Sequence, residues 1–137
     1  MNNTNIINQN SLHKAALTSI FLGLLGSLYF MFNAGNSQKS IILIGLFTFW
    51  VASPFAGLFI FNRISNKWST SIREPIYWLM IILTIITVVA YSGVLKSLNT
   101  KPAFMFIVVP FISWLSIATF FLIAKRKLNR SKDTKIN

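Results

Sequence analysis

The groups in this chain that could move a proton or hold a metal are few: one histidine, His13, two acids, Glu74 and Asp133, and no cysteine. Hydrolysis, metal-assisted chemistry and proton-coupled transport each need a titrating or ligating group at the working site. A lone imidazole ahead of an apolar run reads as a solvated side chain. Glu74, next to Pro75, reads as an acid at the positive end of a helix whose first turn tolerates the proline. Without cysteine, disulfides, thiol catalysis and thiolate metal sites are excluded, and no metal or other cofactor is expected.

The remaining polar groups are hydroxyls and small residues at helical spacing. Ser19, Gly23 and Ser27 recur at i, i+4 and i+8, with Ala15 one turn earlier and Gly26 beside them, and Ser53 and Gly57 repeat the spacing. Two helices approach closely along such a stripe because no side chain holds them apart. Thr84, Thr87 and Tyr91 form a second stripe, and Ser113, Ser116 and Thr119 a looser third. If the last two faces meet, they make a weakly polar seam that either bonds helix to helix or lines a path for a small neutral solute. Pro54 and Pro110 lack an N–H, so the carbonyls of Trp50 and Phe106 lose their donors and each helix bends. The hydroxyl of Ser53 is placed to satisfy the first of these carbonyls. Trp50 and Trp114 lie too deep for an aromatic belt and are expected to fill space between helices.

These residues sit on four apolar runs, 15–32, 41–61, 76–95 and 103–124, and none of the runs contains Asp, Glu, Lys, Arg or His. The second has 21 residues, about 30 Å of helix, which matches the hydrocarbon thickness of a bilayer. A hydrophobic fraction of 54% with mean hydropathy +0.62 is too apolar for an ordinary soluble domain. The expected fold is an all-α integral membrane protein whose four transmembrane helices form two antiparallel hairpins. The connector 33–40 is a tight reversal, whereas 62–75 is longer, so the third span should begin near Pro75 with Tyr77 and Trp78 at headgroup depth. Residues 1–14 read as a polar, mobile tail and 125–137 as a basic one. The first run is longer than a signal-peptide core and lacks a clean small-x-small site, so no cleavage is expected there. Each hairpin carries a proline in its second helix, but at different depths, and no internal repeat is inferred.

Thirteen Lys or Arg against two acids give a net charge of +11, which in a soluble chain would suggest nucleic acid. The placement of these charges between and after the apolar runs identifies them as topology determinants instead. One side holds Lys14, Arg63, Lys67, Arg73 and six basic residues after position 124; the other holds Lys39, Lys96 and Lys101. The positive-inside rule then puts both termini in the cytoplasm. The expected protein is a small non-catalytic protein of a bacterial inner membrane, surrounded by the lipid bilayer. It would act through intramembrane helix contacts with another membrane protein or a second copy, as an accessory subunit or an immunity protein against a pore-forming toxin. The alternative is a small oligomeric permease, channel or lipid carrier for a neutral substrate.

Overall fold

The computed structural model describes residues 3–37, 39–94 and 102–134. Among them the chain forms α1 (Asn3–Ala34), α2 (Ile41–Ser65), α3 (Thr70–Tyr91) and α4 (Pro102–Asp133). Each helix holds a stretch long and apolar enough to cross a membrane, and the protein is an all-α, multi-pass membrane protein. Helix is the form these runs must take, because hydrocarbon offers the backbone no hydrogen bonds and only a helix closes them within one segment. Ser40, in extended backbone, caps α2 by accepting a bond from the Leu43 N–H at 3.4 Å. After α3, Gly93 takes φ 81°, the left-handed turn that glycine reaches without a Cβ penalty.

The helices are longer than the apolar runs. α1 starts at Asn3, so the stretch read as a loose polar tail is helical from there on. Once Ala15 to Phe32 has nucleated a helix, each added residue gains a hydrogen bond without a new nucleus. α2 runs through Asn62 to Ser65 and α3 starts at Thr70, which shrinks the connector to 66–69. Pro75 therefore lies in the second turn of α3, and no acid falls in the first turn. The helix-start role expected of Glu74 is not the one it has. α4 continues to Asp133, with Arg130 and Lys132 in its last turn where cations complement the negative helix end. Leu95, most of the connector 96–102 and the terminal 135–137 lie outside the described residues.

The largest interfaces join alternate helices, α1 with α3 and α2 with α4, and α1 with α2 comes next. The two hairpins of the sequence thus interlock, each helix of the first lying against its counterpart in the second. Toward the basic end, Ala16, Ile20, Leu58, Ile76, Tyr77 and Met80 belong to one buried cluster. Toward the other end, Met31, Val51, Tyr91 and Phe106 form a smaller one. There the rings of Tyr91 and Phe106 stack with centroids 4.6 Å apart. Large apolar side chains also point outward on every helix, among them Leu25, Phe49, Ile85 and Phe111. A helix apolar on all sides is suited to lipid on the face its neighbours leave open.

Candidate functional site

The stripe on α1 faces inward. A Cβ at Gly23 would collide with the Thr84 methyl of α3 and stand 3.1 Å from Cε1 of Phe55 on α2. The absence of a side chain is what lets three helices meet at this point. Ser27 is fully buried, and its hydroxyl has no hydrogen-bond partner. Ser19 donates to the Ala16 carbonyl at 2.7 Å. Gly23 and Ser27 thus serve contact within the bundle, while Ser19, half-buried, bonds within its own helix.

The pair on α2 faces α4. A Cβ at Gly57 would lie 3.1 Å from the indole ring of Trp114. Ser53 donates to the Trp50 carbonyl at 2.8 Å, which is the acceptor that Pro54 leaves without its helical donor. Trp114 Nε1 in turn donates to Ser53 Oγ at 3.0 Å, while Trp50 Nε1 donates to the Ile107 carbonyl at 3.4 Å, one turn before Pro110. The two indoles do more than occupy volume. Each sends its N–H across the α2–α4 boundary, so the helices are bracketed next to both buried prolines.

The expected seam between α3 and α4 is not built. Thr87, Ser113, Ser116 and Thr119 donate to the carbonyls of Leu83, Val109, Ile112 and Leu115 at 2.7–2.9 Å, each within its own helix. Thr84 turns to α1, where its methyl meets Gly23. Tyr91 reaches α4 through its ring alone, and the hydroxyls of Thr84 and Tyr91 have no partner. A threonine or serine in a membrane helix satisfies its hydrogen most cheaply on the carbonyl one turn back, and here that local bond wins.

A polar cluster at the basic end was not expected. Asn62 and Ser65 of α2 are buried, and Asn62 Nδ2 lies 3.3 Å from His13 Nε2 on α1. In this amide orientation the imidazole accepts, and its own proton sits on Nδ1. The His13 ring packs against Tyr77 of α3 with centroids 5.3 Å apart. Arg73 donates to the Tyr77 hydroxyl from Nη2 at 2.7 Å and Nε at 3.2 Å, and reaches Asn66 Oδ1 at 3.4 Å. Ser65 donates to the Asn62 carbonyl at 2.9 Å, whereas Asn62 Oδ1 is buried without a partner.

Two expectations fail here. His13 is packed in place, not merely solvated, and Tyr77 is 1% exposed while its neighbour Trp78 is the ring that faces outward. The signal in the sequence was the Arg73–Tyr77 spacing of i, i+4, which puts both on one helix face. It becomes informative only once α3 is seen to start at Thr70. Chemically the cluster holds one imidazole, a guanidinium and a phenol, and it ties α1, α2 and α3 together. No group of three metal-ligating side chains occurs among the described residues.

Comparison with protein-family models, curated proteins and solved structures gives no match.

Proposed function

We propose that this chain is a non-catalytic membrane protein that works by intramembrane helix contact with another membrane protein or a second copy of itself. One observation carries the reading. Gly26 on α1 and Gly45 on α2 have open space where a Cβ would stand, with no atom within 4 Å. A glycine inside a helix costs about 0.5–1 kcal/mol relative to alanine. Close approach within the bundle accounts for Gly23 and Gly57 but for neither of these two. A helix from outside would use such places, since association in lipid depends on backbone proximity and van der Waals fit. Leu22, Leu25 and Tyr29 on α1, with Ile42, Leu46 and Phe49 on α2, are exposed around them. An accessory subunit and an immunity protein both need a surface of this kind. The excess of positive charge at one end supports a place in an inner membrane with both termini cytoplasmic. The solute-path alternative is weakened because Thr87 and Ser113 already commit their hydrogens to Leu83 and Val109.

A Cβ at Gly26 or Gly45 meets no atom of the bundle within 4 Å, so Gly26→Leu and Gly45→Leu should not lower its unfolding midpoint and gain up to about 1 kcal/mol of helix propensity. In-membrane crosslinking to the partner or second copy should fall at least about fivefold in one or both, equivalent to roughly 1 kcal/mol of lost packing. Unchanged crosslinking in both variants, or a protein that is only ever monomeric and fully active in bare liposomes, would refute the reading.

A further inference from the structure

Beyond that contact surface, which on α2 lies before Pro54, the half of the helix after Pro54 carries a separate feature. Between α2 and α4, toward the basic end, lies an apolar depression of about 250 Å³. Gly57, Ile60 and Ile64 line one wall, and Trp114, Ala118 and Phe121 the other. Gly57 to Ile64 spans about 10 Å along the helix axis. On each helix the lining repeats at i, i+3, i+4 and i+7, so the next residues along the same lines can be named. On α2 they are Lys67 and Trp68, in the turn just past the helix end; on α4, Lys125 stands one turn beyond Phe121. Trp68 packs on Phe61 and Phe121, two of the residues that line the trough. Lys67 and Lys125 are both exposed, as is Arg63 in the last turn of α2. The two acids of the chain are elsewhere, Glu74 on α3 and Asp133 two turns below Lys125.

A trough of hydrocarbon character that ends at cations, at the depth where a span meets water, complements one kind of molecule. We infer that it binds an anionic glycerophospholipid of the leaflet on the basic side, with an acyl chain between α2 and α4 and the phosphate between Lys67 and Lys125. The negative end of α2 opposes a phosphate there, and the charges of Arg63 and Lys67 offset it. Cations at this depth attract anionic lipid, while the apolar wall supplies shape. This sets the site apart from the dispersed attraction of the basic tail.

The test is retention of phosphatidylglycerol against phosphatidylcholine with identical chains, read by native mass spectrometry of the full chain released from detergent. The wild type should retain phosphatidylglycerol in preference. K67Q/K125Q should reduce that preference roughly tenfold, and A118W, which fills the trough, should reduce retention of the anionic lipid to a similar extent. R130Q/K132Q, which removes tail charge alone, should stay within about twofold of wild type. Unfolding midpoints in lipid-free detergent identify any variant that fails to fold, and K67Q with K125Q measured singly replaces a double variant that does. Equal loss in R130Q/K132Q would overturn the site in favour of tail electrostatics. Unchanged retention in A118W, or a copurifying protein that displaces the lipid from the trough, would overturn it as well.

Discussion

Gly23→Leu is expected to destabilise the bundle more than any other single substitution on α1. Its Cβ alone would collide with the Thr84 methyl and crowd Phe55 at 3.1 Å, and the rest of the side chain has nowhere to go. Overpacking of this kind typically costs about 1–3 kcal/mol and sometimes more, against at most about 1 kcal/mol regained from the better helix propensity. Even Gly23→Ala should lower the unfolding midpoint in detergent, and pairing it with Thr84→Ala should restore it. Thr84→Ala removes both the colliding methyl and a buried hydroxyl that has no partner, so it should be close to neutral alone. Wild-type stability in Gly23→Leu would mean that α1 does not approach α3 at this position.

The second large effect lies at the other side of the same interface. Tyr77 is 1% exposed and packed against His13, with Arg73 on its hydroxyl. Tyr77→Ala should cost about 3–5 kcal/mol, the range for deleting a buried aromatic ring. Tyr77→Phe keeps the ring and removes the acceptor for two guanidinium donors. Arg73 is half-buried and recovers water, so that loss should be nearer 1 kcal/mol. Chemical unfolding of the two variants in the same detergent checks the order. Equal losses would place the stabilisation in the hydrogen bond and contradict the packing described for the ring.

What the sequence revealed and what it concealed divide along a physical line. The four spans were legible because hydrocarbon imposes one requirement on every residue of a run, and 41–61 meets it without a charge. Ser53 was likewise found in advance, since the carbonyl that Pro54 orphans has only near neighbours to turn to. Which helix faces which was not legible. Apolar residues all round a helix give no stripe to orient it, so the α1 glycine stripe could be recognised while its partner Thr84 on α3 could not. The same uniformity led Thr84 and Tyr91 to be grouped with Ser113 and Ser116 in a seam that local carbonyl bonds pre-empt. The ends of the helices were misjudged for a different reason. Polar residues such as Asn8 and Asn62 look like loop by composition, yet a helix already nucleated in the apolar run carries on through them. That continuation turns Tyr77 inward and brings His13, Asn62 and Arg73 together.

Lipid, and not water, covers the outward apolar side chains. Because the chain has no cysteine, single cysteines report this directly in intact membranes. With a water-soluble maleimide, a cysteine at Phe111, which is 57% exposed, should react far more slowly than one at Lys132, and in the proposed orientation the latter should react only from the cytoplasmic face. Fast labelling at Phe111 would contradict the lipid cover, and labelling at Lys132 from the opposite face of sealed cells would contradict the orientation.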